Sequence, residues 1–210
     1  MQPGERKAHW EAVYEQKGEM EVSWFQESPE LSLELIEKLA PAPDAAIIDV
    51  GGGASRLVDA LVARGYGDVT VLDLSQAALQ AAQTRLGARA AKVVWVAADA
   101  TDWSPQRAYD LWHDRAAFHF LTSAEDRARY VARLTQALKP GGHAIIATFA
   151  PDGPERCSGL PIVRYDAAGL SQVLGADFAL MDTRAQAHVT PWGSRQKFQF
   201  SIFSRCVERA

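Results

Sequence analysis

Cysteine, long apolar runs and excess positive charge are all scarce in this sequence. Its two cysteines, Cys157 and Cys206, are too few for a disulfide framework and lack the spacing of metal ligands, so we expect free thiols and no bound metal. No apolar run approaches the roughly 18 residues that a membrane-spanning helix needs, so we expect no membrane partner. The formal net charge of -4 argues against a nucleic-acid partner, because neutralising phosphates requires a concentrated basic face.

The composition is that of a globular protein. Apolar residues make up 48% of the 210 residues and charged residues 23%, which is typical of a soluble chain with a sizeable core. This length suits one domain better than two. Residues 1–19 are polar and lack both an apolar signal core and a small-residue cleavage site, so we expect a cytoplasmic protein.

The stretch over residues 45–56 organises the chain. An apolar strand over residues 47–50 carries one acidic residue, Asp49, and three successive glycines at 51–53 follow before a helix pattern opens. A carboxylate near the end of a buried strand, followed by backbone without side chains, can hold a small charged ligand.

Strand and helix patterns alternate along most of the chain, which predicts right-handed crossovers and a parallel sheet. The predicted parallel strands cover residues 47–50, 69–73, 93–96, 109–113 and 143–149. The last two strands begin near Phe178 and Gln196, and the turn at residues 191–193 between them is too short for a helical crossover, so they should pair antiparallel. The predicted fold is α/β: a single doubly wound sheet, mostly parallel with an antiparallel C-terminal hairpin strand, and helices on both faces.

Polar residues at helix ends predict where several helices begin and stop. Ser28 is the predicted N-cap of the helix that precedes the first strand, and Ser75 is the predicted N-cap of the helix after the second strand. Thr122 and Glu125 have the spacing of a capping box. Residues 139–142, Lys-Pro-Gly-Gly, are predicted to end the helix that follows this box.

Four aspartates, Asp49, Asp73, Asp99 and Asp114, lie at or near the C-terminal ends of successive predicted parallel strands. In an open doubly wound sheet these strand ends line the ligand crevice. A single aspartate at such a position is often only a helix cap. Four of them in register with a glycine turn favour a ligand site.

The residues around the glycines favour a cationic nucleoside over a dinucleotide. A dinucleotide-binding G-x-G-x-x-G pattern would have its third glycine where Arg56 stands. Asp49, directly before the glycines, is poorly suited to a pyrophosphate but suits an ammonium or sulfonium group. Asp73 is placed to accept hydrogen bonds from a ribose diol with either ligand.

Together these segments resemble the motif series of class I S-adenosylmethionine-dependent methyltransferases. The resemblance rests on residues 49–55 (DVGGGAS), Asp73, the pair at 99–100 and residues 138–142 (LKPGG). The family usually has glycine where Ser55 stands, so we expect either a shifted loop or a serine that tolerates the glycine conformation.

The resemblance implies one methyltransferase domain with three parts. We expect a helical lid or lead-in over residues 1–44, a cofactor-binding core over 45–150, and a substrate-side segment with the terminal hairpin over 151–210. The implied cofactor is S-adenosyl-L-methionine, with S-adenosyl-L-homocysteine as its product.

The resemblance also implies roles for individual positions. Asp49 and the glycine backbone would lie against methionine, Asp73 would hold the ribose, and Asp99 would accept from the adenine amino group. We predict cofactor-binding residues at Trp24, Asp49, Gly51, Gly52, Gly53, Asp73, Leu74, Asp99, Ala100, His113, Asp114 and Arg115.

A general base is needed only if the methyl acceptor arrives protonated. His113, at the end of the fourth predicted strand, is the predicted catalytic residue. The ordinary alternative for each histidine and for the loop cysteine is a packing role. The predicted substrate-pocket residues come from the ends of the chain and from two loops, and are Gln26, His119, Cys157, Arg164, His188 and Trp192.

Four functional hypotheses are open at this point. The leading one is a methyltransferase that acts on a small molecule. The second is a protein lysine methyltransferase, for which the acidic balance would suit a basic target. The third is a non-catalytic module that binds S-adenosylmethionine, and the fourth is a nicotinamide-dependent oxidoreductase.

Overall fold

The computed structural model describes residues 3–207. Over most of this range strands and helices alternate, as the hydrophobic patterns of the sequence predict. The strands are β1 (Ile47–Val50), β2 (Val69–Asp73), β3 (Val93–Ala97), β4 (Tyr109–Arg115), β5 (Leu138–Phe149), β6 (Arg156–Cys157), β7 (Leu160–Pro161), β8 (Phe178–Val189) and β9 (Arg195–Arg205). The α-helices are α1 (Pro3–Gln16), α2 (Glu30–Leu39), α3 (Leu57–Ala63), α4 (Gln76–Leu86), α5 (Ala124–Ala137) and α6 (Ala167–Leu174).

Seven of these strands form one sheet with the order β3-β2-β1-β4-β5-β9-β8, and β6 pairs with β7 in a separate hairpin. Strands β1 to β5 pair in parallel, whereas β9 runs antiparallel to both β5 and β8. The order reverses between β1 and β4, which opens a crevice at the C-terminal ends of these two strands. The predicted fold class, including its antiparallel C-terminal hairpin, is confirmed.

Both faces of the sheet are covered by helices. On one face Ile47 of β1 belongs to an apolar cluster with residues of α2, α3 and α4, including Leu61. On the other face its neighbour Ile48 belongs to a cluster with residues of α5 and α6, including Leu134. Alternate burial on two faces explains why the central strands are apolar throughout. Within residues 3–207 no helix is both long enough and apolar enough to cross a membrane.

Two predicted helix starts are wrong by one residue. Helix α2 begins at Glu30 with Pro29, not Ser28, at the N-cap position, and no side chain caps it. Helix α5 is capped by Ser123, not Thr122, because Ser123 Oγ accepts a hydrogen bond from the backbone N–H of Asp126 at 3.1 Å. Serine and threonine have the same capping chemistry, so the backbone conformation alone decides which hydroxyl is used.

One predicted strand boundary is also wrong. Residues 139–142 belong to β5, which begins at Leu138 directly after α5, although the register jumps from Leu138 opposite Tyr109 to His143 opposite Leu111. This jump accommodates the Pro-Gly-Gly sequence as a bulge. Strand β8 extends to Val189, well beyond its apolar start. It lies at the edge of the sheet, where polar side chains can face solvent, so its sequence lacks the hydrophobic pattern of a buried strand.

Helix α1 is fastened to the N-terminus of α4 by Glu11. The Glu11 carboxylate accepts hydrogen bonds from Ser75 Oγ at 2.8 Å and from the backbone N–H groups of Gln76 and Ala77 at 2.9 Å. Ser75 is the N-cap of α4 as predicted, since its Oγ accepts from Ala78 N at 3.1 Å. A carboxylate is favourable here because the first N–H groups of a helix lack partners within the helix.

Replacing Glu11 with alanine should lower the free energy of unfolding by about 1 kcal/mol, because the first turn of α4 loses an acceptor. Urea denaturation measures this change. Glu15→Ala is the matched control, since Glu15 lies exposed on the same helix. Equal losses of stability in the two variants would show that Glu11 does not fasten α1.

Candidate functional site

A cavity of about 820 Å³, partly open to solvent, lies where the strand order reverses. It gathers many residues that the sequence predicts for the site, and a smaller adjoining cavity gathers others. The predicted residues that line the larger cavity are Trp24, Gly51, Asp73, Leu74, Asp99, Ala100, Arg115 and Cys157. Those that line the adjoining cavity are Trp24, Gln26, Asp49, Gly51, Gly52 and Arg115.

The larger cavity also contains residues that the sequence does not predict for the site. Arg6, Trp10 and Tyr14 come from α1, and Phe120 follows β4. The Trp10 ring packs edge-on against Phe120 and Trp24, with ring centroids 4.9 and 5.6 Å away. The i, i+4 spacing of Trp10 and Tyr14 indicates one helix face, but not whether that face meets the core or a cavity.

The glycine turn shapes the wall between the two cavities. Gly51 has φ +69°, and a Cβ atom there would lie 2.5 Å from Ala117 Cβ. A Cβ atom at Gly52 would lie 2.5 Å from Asp49 Oδ2. Gly53, with φ +46°, lies against Asp73 and Tyr14. Side chains at these positions would therefore collide with the site.

The serine that replaces the usual glycine fits this turn without strain. Ser55 is not among the residues of positive φ, and its Oγ accepts a hydrogen bond from Leu57 N at 3.2 Å. Arg85 of α4 holds the adjoining backbone by donating to the carbonyl oxygens of Ala54 and Ser55, each at 2.9 Å. The expected difficulty at Ser55 is thus absent, because the loop adopts a conformation open to any residue.

Asp49 is held in place by His113 rather than by solvent. His113 Nδ1 donates to Asp49 Oδ1 at 2.7 Å, and Nε2 lies 2.9 Å from Ser32 Oγ on α2. The His113 side chain is buried and lines neither cavity. Since His113 lines neither cavity and both of its ring nitrogens have protein partners, the structure does not bring the predicted general base to either cavity, and its contact with Asp49 is that of a positioning residue.

Asp73, at the end of β2, is a buried acceptor in the cavity wall. Its Oδ1 accepts from Ser75 N at 2.8 Å. Burial raises the pKa of Asp73 to about 7, with a smaller contribution from the negative charge of Asp49. Its hydrogen-bond donors among the described residues are the backbone N–H groups of Ser75 and Leu74, and a ligand that supplies hydroxyl groups would further stabilise its ionised form.

Asp99 already has protein partners. Its Oδ2 accepts from Arg6 Nη2 at 2.9 Å, and its Oδ1 accepts from Thr101 N and Thr101 Oγ1 at 2.9 and 2.7 Å. Arg6 also pairs with Asp126 of α5 at 2.9 Å. Arg6 thereby holds α1 at the end of the cavity beside Ala100. Because its partners lie far away in the sequence, no local pattern predicts these contacts.

Asp114 does not border the cavities, contrary to the prediction. Its fully buried carboxylate accepts from Tyr130 Oη at 2.6 Å and from the backbone N–H groups of Ala117 and Phe118 at 3.0 to 3.2 Å. Trp112 Nε1 donates to Tyr130 Oη at 2.8 Å. Burial raises the pKa of Asp114 to about 6. Asp114 therefore holds the loop after β4 in place, whereas Arg115 and Ala116, which follow it, line the cavity.

The end of the cavity opposite Asp99 combines an arginine, a thiol and aromatic rings. Arg115 Nη1 donates to the carbonyl oxygen of Trp24 at 3.0 Å. Ala116, in the cavity wall, has φ +68°, a strained backbone conformation for a residue with a side chain. Burial raises the pKa of the Cys157 thiol to about 11, so this group stays protonated at neutral pH.

Two predicted pocket histidines lie away from the cavities and contact other parts of the protein. His119 is fully buried against the rings of Phe120 and Phe149, and burial lowers its pKa to about 3. His188 Nε2 donates to the carbonyl oxygen of Ser23 at 2.7 Å, which joins the edge strand β8 to the lead-in. Neither histidine lines the two cavities.

Two further predicted pocket residues lie away from both cavities. Arg164 donates to Gly153 O and to Glu155 Oε1, each at 3.2 Å. Trp192 is 60% exposed in the turn between β8 and β9. The hairpin carries this turn beyond the crevice, so proximity in sequence to substrate-side segments does not bring Trp192 to the site.

Tyr130→Phe should lower the free energy of unfolding by about 1–3 kcal/mol, because Asp114 and Trp112 would each lose a buried partner. Tyr165→Phe makes the same change at a buried hydroxyl that has no partner within residues 3–207, so it should cost much less. Guanidinium denaturation of both variants checks the difference. A Tyr130→Phe variant as stable as Tyr165→Phe would rule out a stabilising network.

Comparison with known proteins places this geometry in context. Residues 47–142 match the family model described as "Methyltransferase domain". The chain is 34% identical over 121 residues to the trans-aconitate 2-methyltransferase of Methylobacterium radiotolerans, covering 57% of this chain and 43% of that protein. It is 23% identical over 149 residues to the eEF1A lysine and N-terminal methyltransferase of Mus musculus, covering 68% and 21%. The matches thus span less than half the length of either curated relative.

The fold is shared with solved methyltransferase structures. The N-methyltransferase NodS from Bradyrhizobium japonicum, in complex with S-adenosylhomocysteine, aligns with a TM-score of 0.71 at 16% identity, covering 93% of this chain and 97% of that one. Its sequence identity is too low to carry more than the fold. Residues 47–142 therefore match a methyltransferase domain, and the seven-strand sheet has the fold of class I S-adenosylmethionine-dependent methyltransferases.

Proposed function

We propose that this chain transfers a methyl group from S-adenosylmethionine to a small-molecule acceptor. The observation that carries the proposal is one continuous cavity with two chemically different ends. Asp73 and Asp99 at one end offer acceptors for a nucleoside, while Trp10, Trp24 and Phe120 enclose an apolar space at the other. In this proposal residues 1–44 act as lid, 45–150 as cofactor-binding core and 151–210 as the substrate side of one domain.

The residues at the nucleoside end fit S-adenosylmethionine. The buried Asp73 carboxyl group has only backbone donors among the described residues, and a ribose diol would supply two more. Leu74 and Ala100 give the apolar wall that an adenine ring needs. Asp99 Oδ2 accepts only from Arg6 among the described residues, which leaves a lone pair for an amino group. We assign the methionine part to Asp49, Gly51, Gly52 and Gly53.

The chemistry requires mainly positioning and exclusion of water. When bound, S-adenosylmethionine supplies a methyl group on a positively charged sulfur, which an acceptor takes by in-line displacement as the electron pair of the C–S bond passes to sulfur. Tyr14 and Trp24 cover this region from the lead-in and hydrogen-bond to each other at 3.2 Å. Their role would be to hold the acceptor in a water-free cavity.

No residue in the wall of the acceptor end is suited to remove a proton at neutral pH. Burial raises the pKa of Tyr14 well above its ordinary value and that of Cys157 to about 11, so both groups stay protonated. Both His113 nitrogens are engaged elsewhere. We therefore propose that the acceptor nucleophile reaches the site with a lone pair already free to attack, so that no proton has to be removed first.

A protein lysine is the second candidate acceptor, as the name of the mouse relative suggests. A lysine ammonium group would have to lose a proton before it could attack the methyl group, and Tyr14 and Cys157 in the cavity wall are not suited to take that proton at neutral pH. A non-catalytic module that binds S-adenosylmethionine is the alternative of another class.

Transfer of a tritiated methyl group from S-adenosylmethionine into a cell lysate, fractionated by size, separates these alternatives. We expect label in the small-molecule fraction with the wild-type chain and none with Asp73→Ala. Label on proteins would contradict a small acceptor, and label in neither fraction would favour a binding module. Binding of NADH without binding of S-adenosylhomocysteine would instead indicate an oxidoreductase.

The affinity for a ribose-containing ligand should rise with pH through about 7. Only ionised Asp73 accepts hydrogen bonds from both hydroxyls, so 5′-methylthioadenosine should bind about 10-fold more weakly at pH 6 than at pH 8. Calorimetry at both values measures the change. Asp73→Asn should bind weakly at both, whereas Asp102→Asn, at an exposed position, should keep the pH dependence. A wild-type affinity independent of pH would refute the assignment.

A further inference from the structure

The hydroxyl group of Tyr14 uses only part of its hydrogen-bonding capacity within the protein. Tyr14 Oη accepts a hydrogen bond from Trp24 Nε1 at 3.2 Å, and no group within residues 3–207 accepts the hydrogen of the Tyr14 hydroxyl. A phenol hydroxyl can both donate and accept. Tyr14 is half-buried and lines both cavities, so this hydrogen is available to a bound molecule.

The Tyr14 hydroxyl and the Asp73 carboxyl group border the same space beside Gly53. A Cβ atom on Gly53 would lie 3.0 Å from Tyr14 Oη and 2.9 Å from Asp73 Oδ2. The two oxygens are therefore close neighbours, although no hydrogen bond joins them in the described part of the chain. Burial raises the pKa of Tyr14 and the negative charge of Asp73 raises it further, so the hydroxyl keeps its hydrogen and can donate it.

A hydroxyl group is the ligand group that suits both neighbours. It can donate its hydrogen to the Asp73 carboxylate and accept a hydrogen bond from Tyr14 through a lone pair. An ammonium group has no lone pair with which to accept from Tyr14, and a carboxylate would be repelled by the charge of Asp73. The pairing of Tyr14 with Asp73 therefore favours a ligand hydroxyl.

In S-adenosylmethionine the only hydroxyl groups are the two of the ribose. Leu74 and Ala100 line the same cavity as Tyr14 and Asp73, and we assign them to the adenine ring. The ribose is bonded directly to adenine, and Leu74 directly follows Asp73. An adenosine group held there brings its ribose hydroxyls to the pair formed by Tyr14 and Asp73.

We propose that Tyr14 is a second ribose-binding residue, which donates a hydrogen bond to a ribose hydroxyl that itself donates to Asp73. This inference rests on the proposed function, since it concerns the cofactor of that reaction. Trp24 is then a positioning residue, because its indole N–H occupies a lone pair of Tyr14 Oη and directs the Tyr14 hydrogen toward the ligand. Helix α1 thus takes part in recognising the cofactor.

The test is calorimetry on the full chain with adenosine, 2′-deoxyadenosine and 3′-deoxyadenosine, since each deoxynucleoside lacks one ribose hydroxyl. Tyr14→Phe should weaken the binding of adenosine about 5-fold, the effect of losing one hydrogen bond. The same variant should leave the affinity for one deoxynucleoside unchanged, because that ligand lacks the hydroxyl that Tyr14 contacts. Equal weakening of all three nucleosides, or of none, overturns the proposal.

Two further variants complete the experiment. Tyr66→Phe is the matched control, because it removes a hydroxyl that donates to the Ala40 carbonyl oxygen at 2.9 Å outside both cavities, and it should bind as wild type. Trp24→Phe removes the group that orients Tyr14 and should reduce the preference for adenosine over the same deoxynucleoside. Thermal melts establish that each variant is folded, and Trp24→Phe carries the test if Tyr14→Phe is not. The proposal fails if neither variant alters this preference.

Affinity for the cofactor product distinguishes a contact with the methionine part. S-adenosylhomocysteine and 5′-methylthioadenosine both contain the ribose, but only the first has a carboxylate. If Tyr14→Phe weakens S-adenosylhomocysteine but not 5′-methylthioadenosine, then Tyr14 binds the methionine carboxylate and the proposal is wrong. Equal weakening of both ligands supports the ribose contact. Failure of the proposed function would be a different result, because the wild-type chain would then bind neither ligand.

Discussion

The reversal of strand order between β1 and β4 is the constraint on which the rest of the structure depends. Because the chain leaves these two parallel strands toward opposite sides of the sheet, their C-terminal ends cannot be covered by their own connections. The glycine turn after β1 and the loop after β4 must therefore form the walls of an open crevice. Their close approach, with Gly51 against Ala117, leaves no space for a side chain at Gly51.

Polar groups around this crevice fall into two kinds. Asp49 and Asp114 are held by protein partners, His113 and Tyr130, and so fix the walls. Asp73 lies in the cavity wall with only backbone donors among the described residues, and burial raises its pKa to about 7. The first kind gives the site its shape, and the second kind gives it a hydrogen-bond acceptor that a ligand can use.

The lead-in segment closes the crevice through contacts distributed along its length. Arg6 pairs with Asp99, Glu11 caps α4, and Trp24 bonds to Tyr14. The first two contacts join the segment to different parts of the core, and the third holds α1 against the loop that carries Trp24.

The sequence by itself determined the elements and the glycine turn. The strand over residues 47–50, the carboxylate of Asp73 and the short link at residues 191–193 each follow from local rules of periodicity, charge and turn length. These rules were enough for the fold class, since hydrophobic period and connection length restrict the topology. Where two neighbours share the same chemistry, as Thr122 and Ser123 do, local rules left the choice open.

Only the tertiary structure decided which of the predicted side chains face the cavity. His113 and Asp114 stand side by side with Arg115 on β4, yet the first is bound to Asp49, the second to Tyr130, and only Arg115 reaches the cavity. Likewise, Arg6 forms an ion pair with Asp99, which lies 93 residues later in the sequence. The physical reason is that the direction and partners of a side chain are set by packing between segments far apart in sequence, which no local pattern encodes.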